Sequence, residues 1–389
     1  MANARRRFLR LSAGAPLGLA AWLGDGCSPP ARSRSAPRGG GAGGGPEAPE
    51  DEPIVVPAVN GAINVQPARC LGCLPTDQTI EPDLVRLQLS IVYELGFDGI
   101  RITAPLGDRG TLLAAIPYVR AARAIGLDAL VLLADFSGLT LARALFDDRH
   151  RHAVLKMYTD IFAPPPLPVR PQLHGLGPQG TGRISFQILN EPAGFVGVPP
   201  DVYVRELLTP CFDDLRQLYP DLIVVSAAEA GDKEGPPRLR AMLEAGLEQV
   251  CDRIAYHVYT RDVIPLLGDH VRRIVWVTES GTVGTAQHLP WVRDVFPQIV
   301  AGIPDVLRIF YFDLFDPAAG VYRVLDVRPA GRGFEAVFES TELHEYWAGR
   351  VREAAAGRPL LGFDSLVPDI RAYFPTLADT QAYDAAPWK

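Results

Sequence analysis

The sequence predicts an α/β fold, a single (β/α)8 TIM barrel, and three observations lead to this prediction. From residue 54 onward, short apolar runs alternate with amphipathic stretches of helical periodicity, the pattern of a parallel sheet covered by helices. Eight such runs fit a closed barrel of about 300 residues. Two of them deliver a glutamate to their carboxyl ends, where barrels place their chemistry. An open doubly wound sheet would carry a glycine-rich phosphate loop after its first strand, and the sequence has none there.

The predicted strands are short and rich in apolar and β-branched residues, as is typical of strands buried on both faces. They cover residues 59–66, 98–104, 128–134, 184–189, 222–226, 253–259, 273–281 and 306–313. Helical periodicity predicts the intervening helices over residues 81–95, 112–125, 139–161, 202–218, 239–247, 291–300 and 341–356. Pro82 favours a helix start, and Gly96 and Gly126 favour helix ends. Residues 316–338 are expected to form an irregular excursion or a small hairpin.

The N-terminal residues have the pattern of an export signal. Arg5, Arg6 and Arg7 resemble a twin-arginine signal, residues 11–23 supply an apolar region, and Cys27 stands where a lipoprotein signal places its acylated cysteine. We therefore expect an exported protein, periplasmic or extracellular, with membrane attachment through a lipidated Cys27 as one form of it. The predicted organisation is a signal over residues 1–27, a Pro/Gly-rich linker over 28–53, the barrel over 54–356 and a tail over 357–389.

Composition excludes several classes of partner and cofactor. The net charge of −7 over 389 residues indicates no nucleic-acid partner. Besides Cys27, an even number of cysteines remains, Cys70, Cys73, Cys211 and Cys251, which is compatible with one or two disulfides in an oxidising compartment. The Cys70–Cys73 pair has metal-ligand spacing, but no second C-x-x-C accompanies it, so we expect no metal and no cofactor. We also expect a monomer.

The chemistry is predicted from the two strand-end glutamates, Glu191 in the Asn-Glu-Pro sequence after the fourth strand and Glu279 at the end of the seventh. Strands four and seven lie across a barrel mouth from each other, so their end residues can flank a sugar. Hydrolysis of a glycosidic bond with retention needs one carboxylic acid to protonate the leaving oxygen and one carboxylate to attack the anomeric carbon. Spacing alone does not say which glutamate takes which role.

This pair of strand ends resembles the clan A glycoside hydrolases, in particular the family 5 and family 39 barrels, over residues 99–313. The resemblance implies that Glu191 is the acid/base, that Glu279 is the nucleophile and that Asn190 holds the substrate 2-hydroxyl. It also implies that Arg101 on strand two donates to Glu279. On strand six, residues 257 and 259 share one face by the period-two rule, and three further roles follow from the resemblance. Tyr259 contacts the nucleophile, His257 contacts the acid/base or the sugar, and Tyr311 replaces the usual strand-eight tryptophan as the sugar platform.

The sequence therefore predicts a retaining glycosidase that cleaves β-linked oligo- or polysaccharides. Two alternatives stay open: a barrel that binds glycans without turnover, and a barrel hydrolase of another class. The intact glutamate pair argues against the first. The lack of a G-x-S-x-G elbow and of an H-x-H metal pair argues against the second. Glu229 also follows a predicted strand, and we expect it to have a rim or binding role.

Overall fold

In a computed structural model of the chain, the structure describes residues 6–11, 60–64, 82–134, 140–164, 182–229, 231, 233–268, 274–282, 285–314, 321–330, 333–355 and 363–385. The predicted linker, the C-terminal end of the predicted signal, and Cys27, Cys70 and Cys73 lie outside these residues. The export signal, the lipidation and the monomeric state thus stay predictions.

All eight predicted barrel strands are present in the described part of the chain, each within about two residues of its expected bounds. They are β2 Asn60–Asn64, β3 Gly99–Thr103, β4 Asp128–Leu133, β5 Ile184–Ile188, β6 Ile223–Val225, β7 Ile254–Val258, β8 Val275–Ser280 and β9 Val306–Tyr311. A second sheet consists of β1 Arg6–Leu11, β10 Tyr322–Ala330 and β11 Gly333–Ser340. Strands β10 and β11 are the small hairpin expected after the eighth barrel strand.

The eight strands form one parallel sheet that closes on itself. Their order is β6-β5-β4-β3-β2-β9-β8-β7, so the first and last barrel strands, β2 and β9, are paired. The remaining edge is closed by a parallel bridge between Val225 and Arg253, with the Ser226 N–H donating to the Arg253 carbonyl at 3.1 Å. A closed ring of parallel strands is the predicted TIM barrel, and the fold prediction is confirmed.

Helices cover the outside of this ring. The described ones are α1 Pro82–Glu94, α2 Arg109–Ala124, α3 Thr140–Phe146, α4 Asp148–Phe162, α5 Pro200–Val202, α6 Thr209–Leu218, α7 Gly235–Glu244, α8 Ile264–Gly268, α9 His288–Pro290, α10 Phe296–Gly302, α11 Glu342–Ala355, α12 Phe363–Leu366 and α13 Leu377–Ala385. The prediction of a single helix over residues 139–161 was wrong, because two helices, α3 and α4, cover this stretch. Asp147 accepts a hydrogen bond from the Arg149 N–H at 2.9 Å, and this N-cap starts a new helix.

Two apolar clusters fill the molecule. The larger lies between the sheet and the helices, and the smaller is inside the barrel. On β9, Phe310 belongs to the inner cluster with Trp276, whereas Ile309 and Tyr311 belong to the outer one. This alternation is the period-two rule of a strand, and it decides which side chains of β9 can face the barrel mouth.

The C-terminal segment is part of the folded body rather than a loose tail. The Tyr383 hydroxyl donates to the Leu106 carbonyl at 2.7 Å, and Arg120 pairs with Asp379 at 2.6 Å. The sequence leaves open whether residues 357–389 pack on the barrel or stay loose. Residues 363–385 are packed on the barrel.

Cys211 and Cys251 are buried thiols that form no disulfide, so the two-disulfide arrangement is not adopted. None of the described helices is both long and apolar enough to cross a bilayer.

A buried ionic cluster lies where several strands begin. Asp98 precedes β3, and its carboxylate is 3.5 Å from Arg308, which also pairs with Asp128 at 3.0 Å. Burial raises the pKa of Asp98 from 3.8 to about 7, and Asp128 adds to this effect while Arg308 opposes it. Because the folded pKa exceeds the unfolded one, Asp98 contributes most stability below about pH 4, and this contribution is lost as the pH rises through about 7.

We therefore expect Asp98→Asn to stabilise the protein, relative to wild type, more at pH 8 than at pH 5, because the amide removes the ionisation that burial opposes. Thermal unfolding at both pH values measures the difference. Asp213→Asn, an exposed aspartate, is the matched control and should show no such trend. Parallel pH curves for wild type and Asp98→Asn would contradict the assignment.

Candidate active site

The first acid stands directly after β5 in a strained turn. Leu189 and Glu191 both have positive φ, 66° and 43°, which costs a non-glycine residue about 1–2 kcal/mol each. Neighbouring strand ends hold the turn in place. The Leu189 N–H donates to the Leu133 carbonyl and the Glu191 N–H to the Ala228 carbonyl, both at 2.9 Å. Backbone strain that is stabilised by hydrogen bonds from neighbouring elements is common at functional sites.

The second acid, Glu279, lies near the end of β8 and is held by three side chains. Arg101 on β3 donates to its Oε1 at 2.7 Å, and the Tyr259 hydroxyl donates to its Oε2 at 2.7 Å. His257 Nε2 is 3.5 Å from Oε1. The contacts expected of Arg101 and Tyr259 with this glutamate are therefore present.

Arg101 ties the two strand ends together through three bonds. Besides Glu279, its guanidinium donates to Asn190 Oδ1 at 3.0 Å and to Gln187 Oε1 at 2.9 Å. Only 3% of its side chain is exposed, so the planar guanidinium fixes the three oxygens it binds with little freedom. Sequence reasoning missed Gln187. It stands three residues before Asn190 on the interior face of β5, a position that pattern alone does not distinguish from packing.

His257 lies between the two acids. Its Nδ1 is 2.8 Å from Glu191 Oε1, and the side chain is fully buried. Ligand-type atoms of Glu191, His257 and Glu279 all fall within 4.8 Å of one another. One oxygen of Glu191 therefore lies within 4.8 Å of one oxygen of Glu279, a close approach that suits the carboxyl separation of about 5–5.5 Å in retaining glycosidases better than the roughly 6.5–9.5 Å of inverting ones.

The electrostatics keep Glu279 ionised. Burial acts to raise the pKa of its carboxyl, but His257, Arg101 and the hydrogen bonds from Tyr259 and Arg101 outweigh burial and hold the pKa below its ordinary value. Burial and the adjacent carboxylate also raise the pKa of Tyr259 well above its ordinary value, so this phenol stays a donor. Glu279 is therefore a fixed, negatively charged oxygen group facing Glu191.

Glu191, His257 and Glu279 are residue types that bind metal ions, and their close approach is also found in metal sites. The donor set argues against a metal site here, because the Arg101 cation already binds Glu279 at 2.7 Å and would repel a metal ion at the same oxygen. The arrangement suits a neutral substrate that develops positive charge.

The prediction for Tyr311 is wrong. Its side chain is fully buried and packs against the rings of His288, Phe296 and Trp347, so it presents no surface to a sugar. The next residue, Phe312, is half-buried and lies edge-on to Tyr259 with ring centroids 6.4 Å apart. Phe312 is the aromatic side chain of this strand end that borders the site.

Gly281 makes this approach of the two strand ends possible. A Cβ at Gly281 would lie 2.5 Å from the Phe312 carbonyl oxygen, closer than any side chain allows. The Phe312 N–H donates to the Ser280 carbonyl at 3.0 Å. A glycine two residues after Glu279 is therefore a local requirement for bringing Phe312 beside the carboxylate.

Glu229 is not at the rim, as the sequence suggested, but inside the site wall. Only 2% of its side chain is exposed, and its Oε1 accepts a hydrogen bond from the Ala193 N–H at 3.1 Å. It is the third carboxyl of this end of the barrel. Asp135 and Asp313 also follow predicted strands; Asp313 is buried, and Asp135 lies outside the described residues.

No model of a known protein family matches the sequence, and no curated protein matches it. Among solved structures, the chain is similar to the catalytic domain of GH30 xylanase C from Talaromyces cellulolyticus, with 11% identity, 76% of this chain and 75% of that chain covered, and a TM-score of 0.48. It is also similar to the endo-1,4-β-D-mannanase of Thermotoga petrophila, with 11% identity, 77% and 99% coverage and a TM-score of 0.48. A third is endoglucanase Cel5A of Thermotoga maritima, with 15% identity, 68% and 92% coverage and a TM-score of 0.45. These similarities are too distant to assign a role to any residue of this chain.

Proposed function

We propose that this protein is a retaining glycoside hydrolase that cleaves β-glycosidic bonds of an oligo- or polysaccharide by double displacement. The observation that supports the proposal is the pair of carboxyl groups, Glu191 and Glu279, each of which has an oxygen within 4.8 Å of an oxygen of the other. A close approach of this kind favours a covalent intermediate over direct attack by a water held between the two acids.

In the first step, a carboxylate oxygen of Glu279 attacks the anomeric carbon while Glu191 gives its proton to the leaving oxygen. The C–O bond to the leaving group breaks and a bond to Glu279 forms. In the second step Glu191, now a carboxylate, takes a proton from water, the water oxygen attacks the same carbon and Glu279 leaves. The protein returns to its starting state after each turnover, with no cofactor consumed.

The surrounding side chains fit this sequence of events. Arg101 and Tyr259 hold Glu279 ionised and oriented. Because Asn190 Oδ1 is bonded to Arg101, its amide nitrogen is the donor that would meet the sugar 2-hydroxyl, a contact that strengthens in the transition state. His257, at hydrogen-bond distance from Glu191, can exchange a proton with it or hold its orientation. Phe312 supplies the apolar surface under the sugar ring.

The test is release of reducing sugar from a panel of β-glucans, mannans, xylans and galactans, followed by the configuration of the first product by proton NMR. We expect one class of glycan to be cleaved with net retention. A product of inverted configuration would contradict the proposal. Glycan binding without any cleavage would instead favour the non-catalytic barrel, and cleavage of an ester or amide would favour the hydrolase of another class.

We also propose that the protein is exported, with Cys27 lipidated, on the strength of its N-terminal pattern alone. In the structure, residues 6–11 pair with β11, and removal of a signal would remove this strand. The intact mass of the protein recovered from the cell envelope tests the proposal. A mass that still includes residues 1–26 would contradict it.

A further inference from the structure

A third carboxyl, Glu229, is buried beside the proposed acid/base without an evident structural need. It follows β6 and its side chain is 2% exposed. Its Oε2 has no hydrogen-bond partner among the described residues, and the nearest cation, Arg238 Nη1, is 3.6 Å away. Burying an acid with half of its hydrogen bonds unmade is costly, so the position calls for a functional explanation.

The one hydrogen bond that Glu229 accepts holds the turn that carries Glu191. Its Oε1 binds the N–H of Ala193, two residues beyond Glu191. The preceding carbonyl, Ala228, accepts the N–H of Glu191 itself at 2.9 Å. Two consecutive residues after β6 therefore clamp the chain at Glu191 and at Ala193. Because Glu191 has a left-handed backbone that its side chain disfavours, such external bonds are what keep it there.

Glu229 is also in electrostatic contact with the proposed acid/base, Glu191, and with His257. The charged and titratable groups that face it come from four elements: Arg238 on α7, with its second partner Glu234; Glu191 after β5; His257 on β7; and the Tyr203 hydroxyl. Burial raises the pKa of Glu229 to about 7; Glu191 adds to the rise, while the Ala193 amide, Arg238 and His257 oppose it. Its charge therefore changes near neutral pH.

We propose that Glu229 is a positioning residue, a third carboxyl that fixes the Glu191 turn through the Ala193 amide and whose charge acts on Glu191. The proposal rests on the proposed function and deepens it. Glu229 does not touch the substrate. When it ionises, its hydrogen bond to Ala193 strengthens, and its negative charge repels that of a Glu191 carboxylate, because neighbouring carboxylates repel each other.

Two substitutions separate the two effects. Glu229→Gln keeps an oxygen that can accept from Ala193 but removes the charge, so we expect kcat at the optimum within a few fold of wild type. The part of the kcat/KM profile that follows the ionisation of Glu229 near pH 7 should be lost in this variant. Glu229→Ala also removes the hydrogen bond, and we expect kcat to fall about tenfold, on the scale of one positioning contact, with KM little changed.

Glu234→Gln is the matched control, because Glu234 is an exposed carboxylate that pairs with the same arginine at 2.7 Å. Its profile should overlay that of wild type. If Glu229→Gln also overlays wild type and Glu229→Ala keeps full kcat, the proposal is overturned.

A measurement without substrate separates this proposal from the proposed function. The amide resonance of Ala193 should move with pH near 7 in wild type, as the carboxyl it binds ionises, and should not do so in Glu229→Gln. An Ala193 amide resonance that does not shift with pH in wild type would overturn the positioning role, whatever substrate the enzyme hydrolyses. A titrating amide in a protein that cleaves no glycan would instead leave the clamp standing and remove the proposed function.

Discussion

Replacing Glu279 with Gln should abolish turnover, with a fall in kcat on the order of 10⁶-fold, the scale seen when a hydrolase loses its nucleophile. The amide is close to the carboxylate in size, so Arg101 and Tyr259 stay near it, but it cannot form the glycosyl bond. The initial rate on the glycan identified by the panel measures the loss. Glu206→Gln, an exposed glutamate, is the matched control and should keep full activity.

A smaller side chain at position 279 should allow activity to be restored by an added anion, which complements the loss of activity in Glu279→Gln. In Glu279→Ala a small anion such as azide can enter the space left by the carboxylate and attack the anomeric carbon from that side. We expect azide to restore turnover and to yield a glycosyl azide of inverted configuration. Full activity in Glu279→Gln, or no response to azide in a folded Glu279→Ala, would count against Glu279 as nucleophile.

Replacing Glu191 with Gln should lower kcat/KM by about 10²–10⁴-fold on natural glycans, the usual contribution of general acid–base catalysis. The size of the loss should depend on the leaving group. A dinitrophenolate leaves without a proton, so its glycosides should form the covalent intermediate at nearly the wild-type rate, whereas an alkoxide needs the proton of Glu191. Comparing aryl glycosides of different leaving-group pKa measures this dependence.

The contrast between the two acids is the discriminating result. Glu279→Gln should be inactive on every leaving group, and Glu191→Gln should recover as the leaving group improves. An equal loss across the whole series for Glu191→Gln would mean that it does not protonate the leaving oxygen. The same pattern in both variants would mean that the roles are assigned wrongly.

Much of the fold was predictable because a parallel strand that is buried on both faces has a nearly continuous apolar sequence. The site was predictable for a related reason. Residues that end such strands must lie at one mouth of the barrel, so Glu191 and Glu279 were expected near one another, and the resemblance placed Arg101 beside Glu279. Closure of the barrel then fixes their separation, which no sequence pattern states.

Tyr311 shows where this reasoning stops. Apart from Arg308, both faces of β9 are apolar, so the hydrophobic pattern does not say which alternate set of side chains points into the barrel. The structure shows that Phe310 points inward with Trp276, which turns Tyr311 outward and leaves Phe312 at the mouth. A single known inward residue would have been enough to predict this.

The sequence pattern alone does not predict two other features. The burial of Glu229 follows from the turn after β5 folding over the end of β6. The break between α3 and α4 follows from Asp147 acting as a cap inside a stretch that is otherwise suited to one helix. Short polar residues favour caps and turns, but their presence alone does not show which of them interrupt a helix.

The most direct test of the account is to trap the covalent intermediate. A 2-deoxy-2-fluoro glycoside with a good leaving group, built on the sugar that the panel identifies, should form the glycosyl-enzyme and hydrolyse slowly because the fluorine destabilises both transition states. Peptide mass spectrometry should then find one sugar on the peptide that carries Glu279 and none on those carrying Glu191 or Glu229. A sugar on either of the other glutamates, or turnover of the natural glycan with no adduct and with inversion, would contradict the double-displacement mechanism.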